Sequence, residues 1–182
     1  MNHAFLPAPK PQAAPRALRV LAVSALAFAA LGLTGCSALN QFLPSSQPSR
    51  DANTGEVVEK QDNADVFSLR VGDCVDTDSS MSGEISGLPM IPCDQSHTDE
   101  VYFSYMVESE EFPGEDAIIA EAEQKCVPAF ETFIGIGYQD SVLEYWPMYP
   151  TEGSWSDGDR EVLCLAYDPA AATVGTLKGA AR

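Results

Sequence analysis

The fold is decided by the stretch GEDAIIAEAEQKCVPAFETF, residues 114–133. Apolar residues recur in it at steps of three and four, which is typical of an amphipathic helix with one face in a core. The residues that this period places on the buried face are Ile119, Ala122, Cys126, Ala129 or Phe130, and Phe133. Glu115 and Asp116 suit the first turn, because the N-terminus of a helix carries a partial positive charge. Pro128 predicts a kink or two abutting helices.

Strand patterns lie on both sides of this helix. Residues 100–107 are rich in β-branched and aromatic side chains and predict a central strand, and residues 160–167 predict a further strand. Residues 142–149 contain Pro147, which favours the edge of a sheet. Residues 66–71 alternate weakly and predict a strand or extended segment that ends in a turn. Because no βαβ series is present, we predict an α+β domain in which a small antiparallel sheet packs against one main, kinked helix.

Four cysteines, Cys74, Cys93, Cys126 and Cys164, lie in this region. They lack paired C-x-x-C spacing, which favours two disulfides over a four-cysteine metal centre. Four cysteines allow three pairings. We favour Cys74–Cys93, which closes a loop beside a strand, and Cys126–Cys164, which joins the helix to the last strand. In the chain-entropy model these loops contribute about 3 and about 4 kcal/mol to stability.

The first 35 residues have the three parts of a signal peptide. A basic region without acidic residues precedes an apolar core from Val20 to Leu33, and small residues follow it. The stretch Leu33-Thr34-Gly35-Cys36 is typical of a lipobox, so residues 1–35 are predicted to be a cleaved lipoprotein signal. The alternative is an uncleaved N-terminal anchor, because the uncharged run is close to the minimum length of a membrane span. Both place the body of the protein outside the cytoplasm.

Cys36 is the predicted lipidation site. Its sulfur would carry a diacylglyceryl group, and a further acyl chain such as palmitate would join its amine. Two or more acyl chains hold a protein stably on a membrane, whereas one does so only marginally. The membrane lipid is therefore the first predicted partner, and the predicted location is the extracytoplasmic face of the cell membrane.

Residues 36–64 would form the lipidated cysteine and a tether. The stretch is rich in Ser, Pro, Asn and acidic residues and has no sustained period, so it is predicted to be disordered. A flexible coil of this length would hold the domain about 30 Å from the bilayer. Ordered structure is expected to begin near Val66, and the domain to occupy residues 65–182.

The formal net charge of −17 excludes some classes of partner. Nucleic acids and anionic lipid headgroups are bound through clustered Lys and Arg, which this chain lacks. A strongly acidic chain favours basic or neutral partners instead. We therefore expect no nucleic-acid partner.

A family resemblance covers residues 65–182. The motifs that carry it are Leu69-Arg70-Val71-Gly72-Asp73-Cys74, Pro92-Cys93 with His97, Glu100-Val101-Tyr102, Pro113-Gly114-Glu115 with Cys126, Tyr149-Pro150-Thr151-Glu152 with Trp155, and Gly158-Asp159-Arg160-Glu161-Val162-Leu163-Cys164. In these motifs the chain resembles the actinobacterial septum-formation domain family. The resemblance implies an extracytoplasmic, membrane-anchored or lipidated protein that is linked to cell division.

Three residues are candidates for interaction with a partner. His97, followed by Asp99 and Glu100, suggests a metal or acid–base cluster, although a histidine that fixes a turn or packs beside a strand is favoured. Trp155 lies in a loop full of turn residues, where it would be either an exposed interface anchor or a lid over the core. Arg160 is expected to form an ion pair within the domain or, as the alternative, to recognise an anionic group.

No catalytic motif of the common hydrolase, phosphate-binding or zinc-protease types is present. A Ser-His-Asp site built on His97 is the remaining enzymatic alternative. Asp73, Asp76 and Asp78 suggest calcium but lack the glycine and glutamate of an EF-hand loop. We therefore predict no enzyme, no cofactor and no metal. The leading hypothesis is a non-enzymatic interaction module that contacts envelope or division proteins; the alternatives are a binding protein for a small molecule or cation, and a spacer lipoprotein.

Overall fold

An antiparallel sheet with a long helix on one face forms the body of the computed structural model, which describes residues 47–77 and 83–182. The strands are β1 (Gln61–Asp65), β2 (Cys74–Val75), β3 (Gly87–Ile91), β4 (Ser96–His97), β5 (Asp99–Met106), β6 (Glu144–Met148), β7 (Glu161–Tyr167) and β8 (Thr173–Val174). The α-helices are α1 (Glu115–Ile134) and α2 (Glu152–Ser156), and 3-10 helices span Val66–Ser68 and Tyr138–Asp140.

The main sheet has the strand order β1-β3-β2-β5-β7-β6, and every neighbouring pair is antiparallel. The longest pairing joins β5 to β7, from Asp99 opposite Tyr167 to Met106 opposite Glu161. Strands β4 and β8 form a separate two-stranded pair. The predicted α+β class, with an antiparallel sheet against one main helix, is confirmed.

Helix α1 closely matches the predicted span. Its last turn ends at Gly135, which adopts φ +95° and donates its N–H to the carbonyl of Glu131 at 2.9 Å. This left-handed conformation suits glycine because it has no Cβ. The helix continues through Pro128 as one element, so the alternative of two abutting helices is wrong.

The buried face of α1 differs from the prediction at two positions, because Ile118 and Ile134 are fully buried in place of Ile119 and Phe133. The fully buried residues follow each other at steps of four, namely Ile118, Ala122, Cys126, Phe130 and Ile134. Ile119, which was predicted to be buried, is 42% exposed, whereas its neighbour Ile118 is fully buried. The period alone could not choose between two adjacent isoleucines.

The sheet separates two apolar cores. The helix-side core lies between the sheet and α1, and it contains Tyr102, Ile118, Ala122, Cys126, Phe130, Ile134, Val162, Cys164 and Ala166 among others. The second core lies on the other face, and it contains Val57, Ala64, Val66, Leu69, Val75, Leu88, Met90, Val101, Leu163 and Leu165. Successive residues of β7 alternate between these cores, because side chains of a strand point to opposite faces in turn.

The structure joins Cys74 to Cys93 and Cys126 to Cys164, which are the two predicted pairs. The second disulfide connects α1 to β7 inside the helix-side core, where both cysteines are fully buried. The first connects β2 to the turn after β3. One disulfide therefore holds β2 against the end of β3, and the other holds α1 against the sheet.

The predicted disordered tether is wrong for residues 47–64. Within this stretch Arg50 pairs with Val57 as a β-bridge, and β1 adds an edge strand to the sheet beside β3. Val57 and Ala64 are only 8% and 1% exposed, so two small apolar side chains anchor a polar segment in the second core. Composition suggested disorder because most of the remaining residues are polar and exposed.

Of the strand or extended segment predicted over residues 66–71, the strand is wrong, whereas Leu69 is extended and a turn follows at residues 71–72. Val66–Ser68 is a 3-10 helix, and the strand lies before it. The side chain of Asp65 accepts a hydrogen bond from the N–H of Phe67 at 3.0 Å, which caps the turn. In contrast, the predicted edge strand is confirmed: β6 contains Pro147 and lies at the edge of the sheet.

Predictions for the N-terminal part lie outside the described residues. These are the signal peptide of residues 1–35, the lipidated Cys36 and the first part of the tether. Across residues 47–77 and 83–182, none of the helices has the length and apolar character needed to cross a membrane.

Candidate functional site

A cleft of about 550 Å³ lies on the face of the sheet that carries the second core. It is bounded by the first 3-10 helix and the loop before β3 on one side, and by β6, α2 and the start of β7 on the other. Its lining residues are Val66, Phe67, Gly83, Glu84, Ile85, Ser86, Glu115, Trp146, Pro147, Met148, Tyr149, Thr151, Ser154, Asp159, Glu161 and Leu163. Its volume falls in the range of ordinary ligand sites.

The floor of the cleft is apolar. Trp146 and Met148 are two residues apart on β6 and so lie on the same face, and Leu163 lies opposite Met148 on β7. Trp146 and Met148 pack against the second core while remaining half-buried. Because alternate residues of a strand share a face, two short strand segments together supply a continuous apolar surface.

The ring of Trp146 is held in place by a buried carboxylate. Its Nε1 donates to Oδ1 of Asp99 at 2.7 Å. Asp99 is only 2% exposed, and its other oxygen accepts hydrogen bonds from the hydroxyls of Thr77 and Thr98, both at 2.5 Å. With both carboxylate oxygens used, Asp99 is satisfied without a cation, and the indole ring has a fixed orientation.

The opposite wall of the cleft presents an exposed aromatic ring. Phe67 is 67% exposed, although large apolar side chains usually find cover. Beside it, the loop before β3 approaches α2: a Cβ placed on Gly153 would lie 3.8 Å from Oε1 of Glu84. This approach brings the two walls together at one end of the cleft.

The charged residues that line the cleft are all acidic. They are Glu84, Glu115, Asp159 and Glu161. Asp159 is fixed by hydrogen bonds from the hydroxyl of Ser154 at 2.9 Å and from the N–H of Glu161 at 3.1 Å. Among the residues that the structure describes, none of these four carboxylates forms an ion pair. The rim therefore concentrates negative charge, and within the described part of the chain no ion pair neutralises it.

A smaller cleft of about 390 Å³ lies on the outer side of β6. Tyr138 and Tyr145 line it and contact each other edge to face, with ring centroids 5.1 Å apart. The hydroxyl of Tyr138 donates to the carboxylate of Glu144, and this hydrogen bond, more than burial, raises the pKa of Tyr138 to about 12. Tyr138 is therefore a neutral hydrogen-bonding group at physiological pH.

His97 is fully buried and lies away from the cleft. Its Nδ1 is 2.9 Å from the carbonyl oxygen of Gln95, and its Nε2 is 3.2 Å from the hydroxyl of Thr173. The ring thus connects β4 to β8, which is the packing role that the sequence favoured. The suggested acid–base cluster does not form, because Asp99 binds Trp146 and Glu100 accepts from the hydroxyl of Thr176 and the N–H of Leu177, both at 2.6 Å.

Trp155 is only 5% exposed, so the alternative of an exposed interface anchor is wrong and Trp155 packs over the helix-side core. Its ring meets Phe112 at a centroid distance of 5.6 Å. The predicted ion pair of Arg160 is also wrong within the described residues. The guanidinium instead lies 3.7 Å above the Trp155 ring and donates to the carbonyls of Trp155 and Asp159 at 2.8 and 2.6 Å.

One set of three residues with metal-ligating side chains comes together in the described part of the chain. The sulfurs of Cys74 and Cys93 and a carboxylate oxygen of Glu100 lie within 4.8 Å of one another. Both sulfurs belong to a disulfide, and zinc requires thiolates, so this set does not fit a metal. Of the suggested calcium ligands, Asp73 is bound to Arg50, and Asp78 lies outside the described residues.

Comparison with known proteins gives one positive result. A family model described as septum formation matches residues 71–179, which extend from the turn before β2 to beyond β8. The matched region includes all four disulfide cysteines and the floor of the cleft, whereas Phe67 and β1 precede it. No curated protein and no solved structure matches the chain. Since the family model covers more than half of the sequence, the chain belongs to the septum formation family.

Proposed function

We propose that this protein is a membrane-anchored, extracytoplasmic interaction module that takes part in septum formation by contacting envelope or division proteins. Membership of the septum formation family supports the division-related role. The single observation that carries the binding role is the cleft, in which an apolar floor with a fixed Trp146 lies under an acidic rim. The family is described by a process rather than a reaction, which fits a non-enzymatic module.

The proposed anchor is Cys36, acylated after removal of residues 1–35. A basic region, an apolar core and the stretch Leu33-Thr34-Gly35-Cys36 support this proposal. Cys36 precedes Gln47, the first described residue, by eleven positions. A chain of that length cannot reach farther than about 40 Å. The acylated domain would therefore work close to the membrane surface, within reach of the membrane-proximal parts of other proteins.

The anchor is tested by replacing one residue. The native chain and a Cys36→Ala variant are expressed with a C-terminal fluorescent label that remains bright after export, and cells are separated into membrane and soluble fractions. We expect the native chain in the membrane fraction, carrying metabolically incorporated palmitate. The Cys36→Ala variant should incorporate no palmitate. A Ser37→Ala variant is the matched control. Equal palmitate incorporation into the Cys36→Ala chain would refute the proposed site.

The division role is tested by the position of the same label in living cells. We expect enrichment at division sites that depends on Cys36, because the proposed function requires the domain at the membrane where the septum forms. A uniform membrane signal through the whole division cycle would contradict the role in division without affecting the anchor. The two parts of the proposal are thus separable.

A small-molecule or cation binder is the second candidate function. The observation in its favour is the size of the cleft, which is sufficient for a small ligand, together with its four carboxylates. Thermal unfolding in the presence of calcium and of magnesium tests it. A saturable rise in melting temperature that is lost in a Glu84→Gln/Glu161→Gln variant would favour this function over the interaction module.

A further inference from the structure

We propose that the cleft binds a polypeptide segment that presents a large apolar side chain flanked by lysine or arginine. This inference deepens the proposed function, since it rests on the cleft being the contact surface and names the chemistry of the partner. Three features carry it: the sign of the charge at the rim, the character of the floor and wall, and the position of the cleft beside a blocked sheet edge.

Charge complementarity selects a cationic partner. The cleft is lined by four carboxylates, and no lysine, arginine or histidine is among the described residues that line it. Glu84 and Glu161 are exposed, so they face water until a partner arrives. The nearest arginine in sequence, Arg160, is occupied by Trp155 on the other face of the sheet. Anionic partners such as nucleic acid or acidic lipid would be repelled from the same surface.

The apolar surface selects a large side chain between the cationic ones. Phe67 on one wall and Trp146 on the floor are aromatic, and Met148 and Leu163 complete the floor between them. Phe67 is 67% exposed, so covering it with a partner removes apolar area from water. The fixed indole of Trp146 requires no reordering on binding and its ring face can also accept a cation.

The position of the cleft determines how the segment is recognised. β6 is the edge strand beside the cleft, and an edge strand can pair with an added strand through its backbone. Pro147 is the fourth of the five residues of β6 and has no N–H to donate. A partner therefore cannot extend the sheet along the whole of β6, and recognition falls to side chains that enter the cleft from above.

The test uses synthetic peptides and the chain from residue 36 onward without its lipid. The probe is acetyl-Gly-Lys-Leu-Phe-Lys-Gly-amide, and the matched control probe has glutamate in place of both lysines. We expect the lysine peptide to bind with a dissociation constant below about 1 mM, more weakly at high salt, and to shift the backbone NMR signals around Phe67, Trp146 and Glu161. The glutamate peptide is expected to leave these signals unchanged.

Paired variants distinguish the cleft from the general acidity of the protein. Glu84→Gln/Glu161→Gln removes two rim charges and should weaken binding by about fivefold, whereas Glu108→Gln/Glu131→Gln removes two exposed charges outside the cleft and should not. Phe67→Ser should abolish most of the binding, and Met106→Ser, at a residue that is 56% exposed on β5, is its control. Phe67 is exposed, so its replacement leaves the fold intact, which circular dichroism would verify.

Several results would overturn this inference. These are equal binding of the two peptides, equal effects of the cleft and control variants, signal changes confined to other surfaces, or no binding at about 1 mM. A dimer in sedimentation that Phe67→Ser dissolves would assign the cleft to a second copy of this chain. Peptide binding together with a uniform membrane signal in cells would instead refute only the division role, so the failures of the two proposals can be told apart.

Discussion

The guanidinium of Arg50 makes two hydrogen bonds to the carboxylate of Asp73, at 2.6 and 2.7 Å. The same side chain donates to the carbonyls of Gly55 and Ser68 at 3.0 and 2.9 Å. Asp73 is only 3% exposed and also accepts from the N–H of Arg70 at 2.7 Å. The bond to Asp73 raises the pKa of Arg50, against the opposing effect of burial. One arginine thus fastens the segment before β1 to the turn that leads into β2.

Replacement of Arg50 by methionine should lower the free energy of unfolding by about 3–5 kcal/mol. The reason is that the carboxylate of Asp73 stays buried and loses its only cationic partner among the described residues. Urea denaturation with the disulfides intact measures the change. Lys60→Met is the control, because Lys60 pairs with Asp62 on the surface and should cost less than about 1 kcal/mol. Similar losses in both variants would contradict the special role of the Arg50–Asp73 pair.

A chain that begins at residue 65 should be markedly less stable than one that begins at residue 47. The shorter chain lacks Arg50, Val57 and β1, so the second core loses two buried side chains and β3 becomes an edge strand. An uncovered edge also favours association between copies. Differential scanning calorimetry and sedimentation compare the two chains. Equal melting temperatures and a monomeric short chain would show that the N-terminal segment contributes nothing to the domain.

The two disulfides should be reduced in order. Cys126 and Cys164 are fully buried, whereas Cys93 is partly accessible to solvent. A reducing thiol must approach a sulfur along the line of the S–S bond, and only Cys93 offers it partial access. Low concentrations of the thiol should therefore reduce Cys74–Cys93 first. Alkylation followed by peptide mapping under native conditions would show the order. Early labelling of Cys126 would contradict this expectation.

The domain should lose stability as pH rises above about 10. Burial, with smaller effects of Tyr145 and Tyr138, raises the pKa of Tyr102 far above its usual value, and burial raises the pKa of Tyr105 to about 12. An unfolded tyrosine ionises near pH 10, so above that pH the unfolded state holds fewer protons than the folded state. The free energy of unfolding therefore falls with pH, with a slope of up to about 1.4 kcal/mol per pH unit for a fully buried tyrosine.

Tyr102→Phe isolates the largest part of this effect. The variant loses the hydrogen bond from the Tyr102 hydroxyl to the carbonyl of Cys126, which is 3.0 Å long, and should be about 1 kcal/mol less stable at neutral pH. Above pH 10 its stability should decline less steeply than that of the native chain. Urea denaturation at a series of pH values measures both slopes, and parallel curves would refute the assignment to Tyr102.

Local pattern was sufficient for the elements whose side chains repeat regularly. The helical period predicted α1, the β-branched run predicted β5, and Pro147 placed β6 at an edge. The Cys126–Cys164 pair followed because Cys126 lies on the apolar face of the predicted helix and Cys164 lies in the middle of a predicted strand. The Cys74–Cys93 pair was favoured because it closes a loop beside a strand. By contrast, residues 47–65 are held by long-range contacts: the ion pair between Arg50 and Asp73, the pairing of β1 with β3, and the buried side chains of Val57 and Ala64. No local period in the sequence records such contacts.

The cleft was missed for a related reason. Its lining comes from residues 66–67, 83–86, 115, 146–149, 151, 154, 159, 161 and 163, which meet only in the folded domain. The sequence directed attention to Trp155 because it lies among turn residues, yet α2 buries it, while Trp146 on the edge strand remains half-buried. The alternation of Trp146 with Met148 was the one signal that could have indicated an apolar face on β6.

The pairing of β5 with β7 also determines when this protein can begin to fold. β5 begins at Asp99 and β7 ends at Tyr167, so the central strand pair cannot close until α1, β6 and α2, which lie between them in the sequence, have been synthesised. Until then α1 has no sheet to cover it, and Cys126 has no partner. Cys74 and Cys93 are both synthesised before Cys126. A disulfide between them would remove the two thiols that could otherwise pair wrongly with Cys126. Early formation of the short loop would thus protect the newly made chain from mispairing.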